Sequence, residues 1–164
     1  MKTLRIAACL FTILSTTAIF AQTDAQKSFD QLKSLTGSWE GKNSMGQPVQ
    51  VSYRMTAGGS ALMSEIVGHG ETMISMFNFD GSNRLLLTHY CTVGNQPRML
   101  ASASPDGKTI TFNFLDATNL DTPEAGHMDH VVIAVLDPNH HTEEWVFADH
   151  GKVLKQFFDL KRVN

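Results

Sequence analysis

Leu32-Lys33-Ser34-Leu35-Thr36-Gly37-Ser38-Trp39-Glu40-Gly41 is the stretch on which the fold turns. It carries the end of a short amphipathic helix straight into a Gly-x-Trp strand. Just upstream, Ser28-Phe29-Asp30-Gln31 has the pattern of a capping box, in which a serine hydroxyl and a glutamine side chain satisfy exposed amides of the first helical turn. Phe29, Leu32 and Leu35 then recur at helical spacing, and Gly37 stops the helix. The expected element is a plug of one or two turns with one apolar face.

From Thr36 onward the period changes to two. Val49, Val51, Tyr53 and Met55 alternate with Gln50, Ser52, Arg54 and Thr56 before the turn Ala57-Gly58-Gly59-Ser60. Strands are then predicted over 61–69, 72–79, 84–92, 97–104 and 108–116, each ending in Gly, Asn, Asp or Pro. After a longer polar connection over 117–126 come strands over 127–136, 141–150 and 152–162. With the Gly-Trp strand this makes about ten strands at hairpin spacing. A serial run of hairpins predicts an all-β fold: an antiparallel up-and-down barrel, closed so that no edge stays exposed.

The N-terminal residues have the form of an export signal. Lys2 and Arg5 precede an apolar stretch over 6–20, and small Ala21 is followed by Gln22-Thr23-Asp24, which suits cleavage after Ala21. The expected organisation is a signal peptide over 1–21 and one barrel domain over 22–164, in a periplasmic or secreted protein. Cys9 sits too early within the apolar run for a lipid-attachment box. The chain carries 13 basic and 16 acidic residues, and dropping Lys2 and Arg5 takes the net charge from −3 to −5. That balance argues against nucleic acid as a partner, and the apolar stretch is short for a membrane span. Without Cys9, Cys91 is the one remaining cysteine, so no intramolecular disulfide can form. It reads as a small apolar strand residue, buried against oxidation.

A barrel of this strand number is wide enough to leave an internal cavity. Phe77, Phe79, Phe112, Phe114, Trp145 and Phe147, with Met55, Met63, Met73, Met76 and Met99, are available to line or pack it.

The short helix, Gly37-Ser38-Trp39 and the meander of strands together resemble the calycin superfamily, which holds lipocalins, fatty-acid-binding proteins and haem-binding nitrobindin-like barrels. Leu32-x-x-Leu35-Thr36-Gly37-Ser38-Trp39-Glu40-Gly41, with a late Trp145 and a C-terminal Lys161-Arg162, is most similar to small secreted bacterial lipocalin-like domains of unknown function. The resemblance implies that Trp39 closes the barrel's base against Arg162 of the last strand, through a cation–π contact. The disulfide common in lipocalins has no counterpart here.

The segment 88–99 gathers an imidazole, a phenol, a thiol, two amides and a guanidinium around one hairpin. His89 and Cys91 share the face of Leu85 and Leu87, which look inward, and Tyr90 takes the other. His89 is positioned to hydrogen-bond a ligand head group or to ligate a metal. Arg98 can pair with a ligand carboxylate, or with an internal acid such as Glu65. Tyr53 and Glu65 are further candidates to orient a polar head, above an apolar lining that includes Met99 and Phe112.

In His127-Met128-Asp129-His130, His130 falls on the face opposite His127 and Asp129, so the two histidines cannot chelate together without a bulge. His89 and His130 are the metal candidates, and the nitrobindin resemblance makes either a candidate axial ligand for haem. His140-His141 follows Pro138-Asn139 in a turn and is expected in solvent, as is His69 between two glycines. Glu143 and Glu144 alternate faces and suggest no acid–base pair. No nucleophile elbow, phosphate loop or His-Glu-x-x-His helix occurs, so no motif specifies a reaction. The expected function is a binding barrel for a small apolar or amphipathic ligand. The alternatives are a nitrobindin-like haem barrel acting on nitrogen oxides or peroxides, and an interaction module with a filled core.

Overall fold

The computed structural model describes residues 22–68 and 70–163. The expected signal peptide with Cys9, and the expected turn residue His69, lie outside the described residues. One helix, α1 (Asp24–Lys33), precedes ten strands: β1 (Gly37–Lys42), β2 (Pro48–Thr56), β3 (Ala61–Gly68), β4 (Glu71–Phe79), β5 (Leu85–Tyr90), β6 (Gln96–Ala103), β7 (Thr109–Thr118), β8 (His127–Asp137), β9 (His140–Asp149) and β10 (Lys152–Val163). Every strand pairs antiparallel with its sequence neighbours, and β10 returns to pair with β1, closing the barrel. The hairpin punctuation seen in the sequence falls at the observed turns.

The helix begins earlier than its capping pattern suggests. Thr23 is the N-cap, its Oγ1 accepting from the Gln26 amide at 3.2 Å, and Ser28 lies buried inside the helix. Asp24 in the first turn suits the positive end of the helix dipole. Ala25 adds one more turn to the apolar stripe, so that Ala25, Phe29 and Leu32 fall at i, i+4 and i+7. That extra burial is why the earlier start wins. A helix of ten residues is marginal alone, so it is held by what it covers. Leu32 and Leu35 are buried, and the Phe29 ring lies 4.9 Å from that of Phe79. Full burial of one such leucine stabilises by roughly 1.5–3 kcal/mol.

Gly37 and Gly41 let β1 lie against β10. Gly37 has φ +131°, and a Cβ there would meet Arg162 Nη1 at 2.8 Å. At Gly41 a Cβ would stand 1.8 Å from the backbone oxygen of Asp159, so any side chain would part the two strands.

Inward-facing residues alternate with outward ones, and the inner face forms one continuous core. Beneath the helix it is apolar: Leu62, Phe77, Leu87, Met99, Ile110 and Phe112 have no more than trace exposure. Met55, Met73 and Met99 share the inward phase. Met63 and Met76, paired with each other in register, take the outward phase and do not line the interior.

Candidate functional site

Trp39 and Arg162 are register partners on β1 and β10, and the guanidinium sits 4.2 Å from the indole centroid. Both side chains also hold the helix exit. The indole Nε1 donates to the Leu35 carbonyl at 2.7 Å. Arg162 donates to the carbonyls of Ser34 and Thr36 at 2.8 Å each and of Pro138 at 2.9 Å. The carbonyls left open where the helix stops are satisfied by this arginine. Its contacts are therefore those of a structural clamp at the barrel's base.

Beyond the apolar half lies a belt of polar side chains. Tyr53, Ser64, Ser75 and His89 are successive register partners on β2, β3, β4 and β5. They form one inward-facing rung around the wall. On the opposite wall His141, Glu143 and Trp145 alternate along β9 and also face inward. The walls meet at three points, one of them the Tyr53 ring, 5.8 Å from that of His141. The Tyr53 hydroxyl donates to Glu143 Oε1 at 2.6 Å, and the His89 ring lies 5.0 Å from that of Trp145.

Glu143 is fully buried and accepts three hydrogen bonds, from Tyr53, from His141 Nε2 at 3.0 Å and from Trp145 Nε1 at 2.8 Å. Such pairing is what allows a carboxylate to persist away from water. Burial first, and then the Glu143 charge and its hydrogen bond, hold the Tyr53 phenol well above its usual pKa. His89 is pushed down to about 4 because burial disfavours the imidazolium. It is therefore neutral at physiological pH. Its Nδ1 lies 2.9 Å from Ser75 Oγ, whereas its Nε2 is buried without a partner. Ser64 Oγ, in the middle of the rung, is likewise buried without a partner, as is His141 Nδ1.

At the end opposite the helix the turns leave a recess. A groove of about 200 Å³ lies there between Asn43, Val49, Ile66, Gly68, Glu71, Met73, Gln156 and Phe158. Ile66 and Met73 are register partners, and Ser64 and Ser75 are the next inward pair below them. The groove is mostly apolar with Asn43, Glu71 and Gln156 in its lining, and Ser64 and Ser75 lie one inward step deeper.

Of the residues singled out in the sequence, His89, Tyr53, Met99 and Phe112 face inward, with His89 and Tyr53 in the belt and Met99 and Phe112 in the packed core. Arg98 and Glu65 do not join them. Arg98 points outward and is held in a bidentate pair by Asp116 of β7, and not by Glu65. Glu65 follows Ser64 on the outer phase, in a groove of about 420 Å³ shared with Glu40, Gln50 and Ser52. His130 lies outside as well, hydrogen-bonded to Asn113 across the β7–β8 pair at 3.0 Å, so His89 and His130 share no site. Among the described residues no group of three or more His, Cys, Asp or Glu could hold a metal. Cys91 lies just past β5 in a tight turn and is half-buried rather than enclosed. Burial raises its thiol pKa, which disfavours the reactive thiolate.

His141 corrects the expectation of a solvated turn. The connection is two residues, Pro138-Asn139, where four were expected, so β9 starts at His140 and His141 takes the inward phase with no exposure. The same phase carries Glu143, which sequence reading passed over, to the centre of the barrel. A signal was present: His141, Glu143, Trp145 and Phe147 recur at period two, placing the acid in phase with two aromatic residues. Ser64 and Ser75 were equally legible as members of apolar inward faces.

His89 is closed in by Trp145 and Ser75, the core around Phe77, Leu87 and Met99 is filled, and the mouth groove is below the roughly 300–1,000 Å³ of pockets that hold drug-sized ligands.

No protein-family model and no curated protein matches the chain. Solved structures resemble it in fold. One is a protein of unknown function from the DUF3598 family of Nostoc punctiforme, 13% identical with a TM-score of 0.57 over 80% of this chain. This chain spans 48% of the Nostoc protein's length, about half. Another is Rv2717c from M. tuberculosis, 14% identical with a TM-score of 0.58, covering 84% of this chain and 98% of that one. At such identities the likeness is one of fold alone.

Proposed function

We propose that this protein is a calycin-like binding barrel, secreted or periplasmic, which takes a small apolar or amphipathic ligand through the mouth opposite α1. The observation that carries the reading is the pair of buried, unpartnered polar atoms, Ser64 Oγ and His89 Nε2, on one rung of the inner wall. An orphaned buried polar group costs about 1–3 kcal/mol. Two on one rung, with Ser75 of β4 between them and a mostly apolar groove one step above Ser64, have the character of a site whose hydrogen bonds are completed by what it binds. Met73 and Gln156 at the mouth are unbranched and can move aside for entry. Binding is favoured over acid–base catalysis because both Glu143 oxygens already accept hydrogen bonds. Native mass spectrometry of gently purified protein, with displacement of an apolar fluorescent probe, tests the reading. A co-purifying small molecule or saturable probe binding is expected. Absence of both, with the barrel intact by circular dichroism, would remove its basis.

The continuous core that includes Met99 and Phe112 favours a second reading, an interaction module with a filled interior. It expects the same negative result, together with unchanged stability on adding any apolar ligand.

A further inference from the structure

The polarity of the belt points to the chemical class of ligand, an inference that rests on the binding reading above. Tyr53, Ser64, Ser75 and His89 run along one wall, and Trp145 and Glu143 lead back along the other to Tyr53. Within this ring the hydrogen bonds of Tyr53, Glu143 and Trp145 are already made. Free valences remain at Ser64 Oγ and His89 Nε2 on the β3–β5 wall, and at His141 Nδ1 beside Glu143 on the other. Taking the Ser75 hydroxyl as the donor to His89 Nδ1, the tautomer that leaves a proton on the unpartnered Nε2, the neutral imidazole has one donor to give. The Ser64 hydroxyl offers a second donor that can also accept.

Charge decides what these donors suit. Among the described buried residues there is no lysine or arginine, and the one acid is Glu143. Arg54 and Arg98 lie on the outer phase of their strands, and Arg162 is engaged at the base with three carbonyls. A ligand carboxylate brought to Ser64 and His89 would be desolvated with no lysine or arginine to meet it, inside a ring that already holds the buried Glu143. Like charges at short range in such a medium repel strongly. A neutral oxygen meets no such penalty and satisfies both donors.

We infer that the barrel selects an uncharged apolar molecule carrying a single hydroxyl or carbonyl oxygen, such as an alcohol or aldehyde, and discriminates against fatty-acid anions, with Ser64 and His89 as the residues that contact that oxygen. The small mouth groove favours short chains.

Octanol, octanal and octanoate share a chain and differ in the head, and they can be titrated against the full mature protein at neutral pH, read by tryptophan fluorescence and calorimetry. Octanol or octanal is expected to bind about tenfold or more tightly than octanoate. Ser64→Ala is expected to weaken that binding about tenfold while leaving thermal stability unchanged or raised, because it deletes a hydroxyl that has no partner in the protein. His89→Phe tests the second donor. If octanoate binds as well as octanol, or if binding survives both substitutions, the inference is overturned while the small-ligand reading stands. If none of the three binds, the binding reading falls and the inference with it.

Discussion

Tyr53 and Glu143 lie 90 residues apart in the chain and meet across the barrel, hydroxyl to carboxylate, at 2.6 Å. This bond ties β2 to β9, which are not neighbours in the sheet. On the β9 side the network runs on to the barrel's base, where the His141 ring meets the Trp39 indole edge-on at 4.3 Å. The carboxylate is stable there because Tyr53, His141 and Trp145 all donate to it.

Removing the acceptor strands three donors at once. Glu143→Ala is therefore expected to destabilise the barrel by about 3–5 kcal/mol, and Tyr53→Phe, which removes one donor of three, by about 1–2 kcal/mol. The double variant should cost less than the sum, with a coupling of about 1 kcal/mol or more. Urea unfolding of the four proteins measures this cycle. Strict additivity would mean that the hydrogen bond does not form in solution.

The β architecture was legible because alternation and turn residues act locally, whereas the belt was not because it depends on register. The ten strands follow from runs such as Val49-Gln50-Val51-Ser52-Tyr53, whose period fixes both the element and its inward face. Arg98 shows the limit. Its pairing with Asp116 depends on a bulge between Arg98 and Met99, which no spacing rule announces. His141 shows the other limit. Moving the start of β9 from His141 to His140 leaves the phase of the strand intact, but it takes His141 out of the turn and into the core. The face assignments for His89 and Tyr90 needed only parity, and the structure places them accordingly.

His89 should make stability depend on pH in a defined window. Burial lowers its folded-state pKa from 6.5 to about 4, so the unfolded chain binds the proton more readily between those values. The sign follows: stability is fully present above pH 6.5, falls as the pH drops, and levels off below about 4. The total effect is on the order of 3 kcal/mol at most. His89→Gln removes the titration. The stability advantage of the wild type over this variant should shrink steadily from pH 7 to pH 4, while contributions common to both cancel. Parallel curves across that range would show that His89 is not held neutral by burial.

The closure of the barrel is the remaining point on which the opening motif can be tested. Gly41 lies where β1 and β10 approach too closely for any side chain, since its missing Cβ would overlap the Asp159 carbonyl. Gly41→Ala should therefore part the β1–β10 pair and cost several times the roughly 1 kcal/mol range of ordinary strand substitutions. Arg162→Lys tests the same seam differently. Lysine keeps the charge, but its single ammonium cannot reproduce a planar fork that meets the Ser34, Thr36 and Pro138 carbonyls while lying over Trp39. A loss of about 1–3 kcal/mol is expected, together with a change in tryptophan emission as water reaches the Trp39 ring. Hydrogen exchange locates the effect: amides of β1 and β10 should lose protection first in both variants, ahead of those in β3 and β4. Uniform loss across the strands would instead place the stability of the barrel elsewhere than in its closing seam.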